Sequence, residues 1–197
     1  MANTDYHVRF NAEVIQFNGE VTIVTTLANS SESIDTVLDD FRSKRILGLD
    51  IKWNSESTNN KVATLQLCHG SRCIIIQLLH LDSIPDSLRN LLSDRSIKFF
   101  GVDIAQSIAK LEHDHGLKCW FGHELDSATA VYATYQYYGG AAGLGPSTHQ
   151  TVGLSIEELE SVIYHWDWSA NILTNEQIKV AAIDAYASFA IGKMLFG

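Results

Sequence analysis

The sequence predicts one domain with an α/β or α+β fold, in which a mixed central sheet is flanked by helices. Strand-like apolar runs fill the N-terminal half of the chain, and helical patterns fill the C-terminal half. At 197 residues and 46% hydrophobic residues, the chain can bury a substantial core. Only 2 prolines, with 13 glycines, leave no room for a long linker. We therefore expect residues 1–197 to form a single domain.

The N-terminal elements are predicted from alternation and turn residues. Residues 7–17 and 20–26 alternate apolar and polar side chains around Asn18-Gly19, a pair typical of a hairpin with a type I′ turn. We expect this hairpin, at residues 7–26, to join the central sheet. Ser33 is the predicted N-cap of a helix that has an apolar stripe along one face. Three strands then follow, at residues 46–53, 62–69 and 72–79.

The C-terminal elements are predicted mainly from helix start signals. Pro85 introduces a short helix, and a buried strand at 98–103 feeds a helix at 104–115. Helical spacing continues over 126–138 and ends at two glycines. Two later helices open with a capping box, in which a hydroxyl residue precedes Glu or Gln by three positions. These boxes are Ser155 with Glu158 and Thr174 with Gln177, the second opening a helix that runs to Phe196.

The charge balance limits how the protein can bind nucleic acid. A net charge of -9 argues against a broad nonspecific binder, because affinity for phosphates comes from clustered Lys and Arg. Any nucleic acid must therefore be held locally by a few basic residues. For each such residue, ordinary solvated surface is the alternative interpretation. The candidates are Arg42, Lys44, Arg45, Lys61, Arg72 and Lys179.

Targeting signals and cysteines indicate a soluble intracellular protein. The N-terminus has no basic region followed by an apolar run, and no segment approaches the roughly 20 apolar residues of a membrane span. Cys68, Cys73 and Cys119 lack the paired spacing of a zinc site, so we predict reduced core thiols. Reduced thiols fit a cytoplasmic location, with the nucleus as the alternative. No membrane partner is expected.

A charged pair lies where an apolar strand ends. Asp50 and Lys52 are two residues apart in the predicted strand, so their side chains project from the same face. A buried strand has no use for an uncompensated carboxylate. The pair is therefore either a salt bridge or half of a catalytic site. The other half is predicted at Asp184, an acid flanked by alanines in the last helix, where a solvated face would carry more charge.

These motifs resemble the RNase H-like (DnaQ-like) 3'-5' exonucleases, in the branch that includes the Werner syndrome exonuclease domain. Gly48-Leu49-Asp50 stands where that family has the strand of its Asp-x-Glu motif, and Gly101-Val102 stands where its second motif opens. Residues 173–186 are similar to its last helix. The resemblance covers roughly residues 40–196. It implies a site in which four acidic residues bind two divalent metals.

Three positions depart from the family pattern. Lys52 stands in place of the glutamate, Ser107 in place of an aspartate, and Val180 in place of a tyrosine. Two Mg²⁺ ions roughly 4 Å apart need several carboxylates to offset their repulsion, so we expect at least one metal site to be empty. Asp103, one helical turn before Ser107, is predicted to replace the missing acid in part.

The resemblance implies metal-binding, catalytic and substrate-binding roles for the residues that match or neighbour the family's motifs. We predict Asp50, Asp184 and Asp103 as ligands of Mg²⁺ or Mn²⁺, with Lys52 stabilising charge on a phosphoryl oxygen. In the glycine-rich loop at 139–150, His149 is the predicted proton acceptor for the attacking water, and a flexible surface connection is the alternative. Trp166 and Trp168 either stack on bases or pack in the core. Substrate contacts are expected at Trp53, Ser107 and Lys179.

A narrower resemblance concerns chain length and the Gly-Leu-Asp-x-Lys-Trp region. Both are similar to those of the short plant RISC-interacting clearing 3'-5' exoribonucleases. This resemblance implies trimming of single-stranded RNA from its 3' end, clearance of Argonaute cleavage fragments with Argonaute proteins as partners, and a ring-shaped homohexamer. Two alternatives stay open. One is an inert exonuclease fold that binds RNA or protein, with Lys52 in a structural salt bridge; the other is a DNA exonuclease, which differs in 2'-hydroxyl recognition.

Overall fold

A computed structural model describes residues 12–17, 21–54, 58, 60–120, 122–125 and 166–197. Within them lie seven strands, four α-helices and a 3₁₀ turn. In chain order they are β1 (Ala12–Phe17), β2 (Val21–Ala28), α1 (Ser31–Arg42), β3 (Ile46–Trp53), β4 (Val62–His69), β5 (Arg72–Gln77), the 3₁₀ turn (Leu78–His80), α2 (Asp86–Ser93), β6 (Lys98–Val102), α3 (Ile104–His115), β7 (Gly122–Leu125) and α4 (Asn175–Phe196).

The described strands form one mixed sheet in the order β1-β2-β5-β4-β3-β6-β7. The pairs β2–β5, β3–β6 and β6–β7 are parallel, and the other three pairs are antiparallel. The predicted mixed sheet is therefore confirmed, with the N-terminal hairpin attached through β2. We call the end where β3 and β6 finish the upper rim. The opposite end, where β3, β5, β6 and β7 begin and β4 finishes, is the lower rim.

Helices cover both faces of the sheet. Leu47, Leu49 and Ile51 of β3 face a core cluster that includes apolar side chains from α1, α2 and α3. The other face packs against α4, whose contribution includes Ala181, Ala182 and Ala185, with Phe189. Alternation along β3 therefore turns the side chains of Asp50 and Lys52 toward α4.

Gly48 explains how closely α4 lies on β3. A Cβ atom at this position would lie 2.0 Å from the Ala185 carbonyl oxygen and 2.5 Å from the Phe189 nitrogen. Real Cβ atoms do not approach backbone this closely, so any larger residue would push the helix away from the strand. This close contact brings the middle of α4 to the level of the β3 acid.

Most predicted element bounds agree with the structure, and a few differ. The helix predicted at 104–115 has those bounds, and Thr174 and Gln177 form the predicted capping box. Ser30, rather than Ser33, caps α1, because Ser33 takes the third helical position of the capping box. Strand β7 was not predicted. The helices predicted at 126–138 and after Ser155 lie outside the described residues.

The prediction of reduced thiols is wrong for two of the three cysteines. Cys68 and Cys73 face each other directly across the antiparallel β4–β5 pair, with their Cα atoms 4.2 Å apart, and form a disulfide. The two cysteines are equally spaced on either side of the Gly70-Ser71 turn, so they pair across the two strands. The prediction considered only the spacing of zinc ligands and not this pairing. Cys119 is buried and lies outside the disulfide. Within the described part of the chain, no helix has the length and apolar character needed to cross a bilayer.

Candidate active site

Three charged side chains meet at the upper rim. The Lys52 Nζ atom lies 2.9 Å from Asp50 Oδ2 and 2.6 Å from Asp184 Oδ2. These side chains are mostly shielded, with exposed fractions of 16% for Lys52 and Asp184 and 22% for Asp50. The structure therefore joins the two acids that the sequence predicted to act together. It also places the substituted lysine directly between them.

The position of Asp184 follows from how α4 begins and packs. The Thr174 hydroxyl accepts a hydrogen bond from the Gln177 N–H, and Gln177 Oε1 accepts one from the Thr174 N–H. This reciprocal pair satisfies two backbone donors that a helix start otherwise leaves unpaired. The Gln177 amide also donates to the Asp167 carbonyl, which ties the helix start to the preceding segment. With its start fixed and Gly48 beneath it, α4 presents Asp184 to Lys52.

The electrostatics of the three side chains are unequal. Burial raises the pKa of Asp50 from 3.8 to about 6, the positive charge of Lys52 opposes this rise, and repulsion from Asp184 adds to it. The pKa of Lys52 is raised because its two carboxylate partners outweigh the effect of its burial. Asp184 Oδ2 accepts a hydrogen bond from Lys52 at 2.6 Å, and the buried Asp50 Oδ2 has a longer ion-pair contact with the same ammonium, at 2.9 Å. The ammonium therefore leaves Asp50 incompletely compensated.

Trp168 and Asn54 lie beside this cluster, and the sequence singled out only Trp168. Trp168 is only 3% exposed, and its ring centroid lies 6.0 Å from Lys52 Nζ. Core packing, one of the two predicted alternatives for the tryptophans, is thus the role of Trp168. Asn54, which the sequence did not single out, accepts from the Trp168 N–H at 2.8 Å and donates to Asp167 and Ser169. Its position just after β3 is the signal that could have found it.

Asp103 stands at the upper rim beside Asp50. The parallel register pairs Gly48 with Phe100, so Asp103 comes one position beyond the residue opposite Asp50. It is exposed and has a left-handed backbone with φ of 49°, unusual for a residue other than glycine. Ser107 lies in the first turn of α3, half-buried, and its N–H donates to the Asp103 carbonyl. Neither side chain forms a hydrogen bond or ion pair with the three-residue cluster.

The other predicted site residues lie away from the cluster or outside the described chain. Trp53 packs against the core on the α1–α3 face, with Lys110 Nζ 5.5 Å from its ring centroid. The structure therefore turns Trp53 away from Asp50 and Lys52, because adjacent strand residues face opposite sides of a sheet. Lys179 is half-buried in α4, five residues before Asp184, and is not joined to the cluster by a bond. His149 lies outside the described residues.

The donor set fits one divalent cation better than two. No group of three or more His, Cys, Asp or Glu side chains converges among the described residues. When both acids are ionised, two carboxylates and one ammonium leave the cluster with one net negative charge. The raised pKa of Asp50, a shielded carboxylate that shares one ammonium with Asp184, indicates that further positive charge would be favourable here. Asp50 and Asp184 could therefore hold one ion, whereas two ions would need more carboxylates.

Comparison with known proteins agrees with this geometry. The profile of a 3'-5' exonuclease family matches residues 22–195. A "3'-5' exonuclease" of Arabidopsis thaliana is 29% identical over 94% of this chain and 66% of its own length. The mouse "Bifunctional 3'-5' exonuclease/ATP-dependent helicase WRN" is 25% identical over 94% of this chain and 13% of its own. This chain thus spans less than two thirds of either relative.

The solved structure of Escherichia coli RNase D is similar in fold. It superimposes with a TM-score of 0.63 over 86% of this chain and 43% of its own, at 19% identity. The mixed sheet with helices on both faces and acids at one rim is thus a DnaQ-like fold, as the sequence predicted. The chain belongs to the 3'-5' exonuclease family. The narrower resemblance to the plant exoribonucleases stays a prediction.

Proposed function

We propose that this protein is a 3'-5' exoribonuclease that removes nucleotides from the 3' end of single-stranded RNA. The reaction is metal-assisted hydrolysis of the terminal phosphodiester, and each cycle releases a 5'-nucleotide. The observation that carries the proposal is the convergence of Asp50, Lys52 and Asp184 at the upper rim. Because the chain belongs to a 3'-5' exonuclease family, we interpret this convergence as a site for phosphodiester hydrolysis.

Each of the three side chains has a distinct role. Asp50 and Asp184 would hold one Mg²⁺ or Mn²⁺, which would polarise the scissile phosphate and activate water. Lys52 fixes the separation of the two carboxylates, because its ammonium contacts one oxygen of each. An ammonium has three N–H donors, so one remains to stabilise charge on a phosphate oxygen. Asp103, one position past the level of Asp50, is proposed to orient the site.

RNA is preferred over DNA as the proposed substrate for two reasons. The E. coli structure with the same fold is described as an exoribonuclease involved in structured RNA processing. The sequence also resembles plant exoribonucleases in the strand that carries Asp50. On the same resemblance we propose Argonaute proteins as partners in clearing RISC fragments, a homohexamer as the assembly, and a cytoplasmic or nuclear location. His149 stays the proposed proton acceptor.

Degradation of a 5'-labelled, unpaired RNA and of its DNA counterpart tests the proposal. We expect stepwise shortening of the RNA with Mg²⁺ and none with EDTA. Asp50→Asn should lower the rate by about 10²–10³-fold, because an electrostatic group at the reacting centre is lost. Asp82→Asn is a matched control, since Asp82 is an exposed carboxylate outside the cluster. Its rate should stay within about twofold of wild type.

One observation favours a second function, that of a binding protein without catalysis. Lys52 already contacts both carboxylates, an arrangement that also describes a structural ion pair. Under that alternative, RNA would stay intact in every lane while the protein still bound it. Shortening of DNA but not RNA would instead identify a DNA exonuclease. Either result would overturn the proposed activity on RNA.

A further inference from the structure

The lower rim carries a row of basic residues that the proposed reaction does not use. In the spatial order of the strands, β5 begins with Arg72, β3 follows Lys44 and Arg45, and β6 begins with Lys98, three residues after Arg95. Neighbouring strands lie about 4.8 Å apart, so the row from β5 to β6 extends for roughly 14 Å. Five basic residues from three separate segments of an acidic chain therefore collect along one edge.

Most of these cations are not neutralised. Among the described residues, no acidic side chain lies within ion-pair distance of Lys44, Arg45, Arg95 or Lys98. Arg72 is the exception, because it pairs with Asp40. Arg45 donates to the Ser96 hydroxyl, which links the segments that lead into β3 and β6. An acid does occur in the row, since Asp94 lies near Arg45, but its Oδ1 accepts from the Ser96 N–H and hydroxyl.

Two exposed aromatic rings extend this basic row. Trp120, just before β7, is 54% exposed, and the Arg95 guanidinium lies 3.7 Å from its ring centroid. Phe196, at the end of α4, is 49% exposed, with Lys98 Nζ 5.8 Å from its ring centroid. A cation over an aromatic face is favourable. Both rings thus lie beside positive charge while about half of each side chain stays open to solvent.

An open cleft lies at the other end of the row. It has a volume of about 350 Å³, and its lining includes Lys44, His69, Ser71 and Arg72. The turn between β4 and β5 also lines it, and there Gly70 has a φ of +58° and no atom lies within 4 Å of the position a Cβ would take. A cation, a hydroxyl and an exposed turn backbone are groups that bind phosphate oxygens. Asp40 also lines the cleft and is held by Arg72.

We propose that the lower rim is a second binding surface, which holds single-stranded RNA upstream of the 3' end. Uncompensated cations along a groove, combined with exposed aromatic rings, are how proteins bind single strands without reading sequence. The phosphates would follow the row from the cleft to Lys98, and a base would stack on Trp120. Arg45 and Asp50 are five residues apart along the β3 direction, so the two rims are separated by roughly 17 Å. The choice of RNA rests on the proposed function, whereas the binding surface does not require catalysis.

Fluorescence anisotropy of a labelled 12-nucleotide uridine RNA, measured in EDTA, tests this surface without hydrolysis. Trp120→Ala should weaken binding about tenfold, because one stacked base is lost. Lys98→Ala should weaken binding and lower the slope of log Kd against log salt concentration by about 0.7, since one phosphate contact is lost. Both side chains are exposed, so the variants should melt within about 2 °C of wild type.

Matched controls separate this surface from general charge effects. Arg89→Ala also removes one positive charge, but exposed Arg89 lies in α2 outside the row and donates to the Gly116 carbonyl, so binding should change less than twofold. Unchanged RNA binding by folded Trp120→Ala and Lys98→Ala variants would overturn the proposal. If a 12-residue polyglutamate peptide binds the protein and the RNA does not bind, the proposal is also overturned, and the partner of the lower rim is an acidic protein segment. A failure of nuclease activity alone would leave the EDTA binding result intact, so the two proposals are tested separately.

Discussion

At the upper rim the lysine in the site is held by two carboxylates, whereas at the lower rim most cations have no acidic partner among the described residues. Lys52 lies between Asp50 and Asp184, within 3 Å of an oxygen of each. Lys98 and Arg95 instead lie over exposed aromatic rings. Shielded, mutually compensating charges fix a local geometry, while exposed and unpaired charges act over a Debye length and weaken with salt. The two rims are therefore suited to chemistry and to capture, respectively.

The largest expected effect comes from removing the Lys52 ammonium at the upper rim. Lys52→Met should lower the free energy of unfolding by about 3–5 kcal/mol at neutral pH in EDTA, because it leaves two shielded carboxylates facing each other without compensation. Urea denaturation measures this change. Mg²⁺ should restore more stability to the variant than to wild type, since the ion would supply the lost positive charge.

Lys98→Met at the lower rim is the matched control. It also removes one ammonium and leaves a straight apolar chain, but Lys98 is exposed and has no carboxylate partner among the described residues. Its free energy of unfolding should change by less than about 0.5 kcal/mol. Equal losses at the two rims would contradict the difference in charge compensation drawn between them.

A smaller effect should appear in the pH dependence of stability. The pKa of Asp50 is raised from 3.8 to about 6 in the folded protein. Between these values the folded state keeps a proton that the unfolded state has released, so stability present below pH 4 is lost as the pH rises through 6. The loss from this group should be about 2–3 kcal/mol in EDTA.

Asp50→Asn cannot titrate, and its curve of unfolding free energy should lack this fall. Urea denaturation of both proteins between pH 3.5 and pH 7 measures the difference. Parallel curves over that range would mean that the negative charge of Asp50 is as well stabilised in the folded protein as the charge of an exposed acid. That result would remove the reason for expecting a further cation at the upper rim.

The sequence predicted the upper rim largely from local rules. Strand alternation placed Asp50 and Lys52 on one face, and the Thr174 capping box fixed the start of the helix that carries Asp184. The alanines around Asp184 correctly indicated close packing, which the contact with Gly48 demonstrates. Local periodicity was enough here because each element contains its own signal.

What the sequence could not predict depends on contacts between distant segments. Strand β7 has four residues and is defined by its pairing with β6. The Cys68–Cys73 disulfide depends on the register of two strands. Trp53 is a different kind of error: it was expected at the substrate but faces α3, and strand alternation, a local rule, already places it opposite Lys52. The lower rim collects residues from separate loops, so only the topology of the sheet makes them neighbours.

The most direct test of the central claim is the single-turnover rate of 3' trimming measured across Mn²⁺ concentration. We predict that the rate on single-stranded RNA rises in proportion to Mn²⁺ at low concentration and then saturates, as expected for one ion held by Asp50 and Asp184. Asp184→Asn should show no trimming at any concentration tested. A rate that rises with the square of Mn²⁺ concentration, or RNA that stays intact throughout, would contradict an upper rim that works with one ion and Lys52.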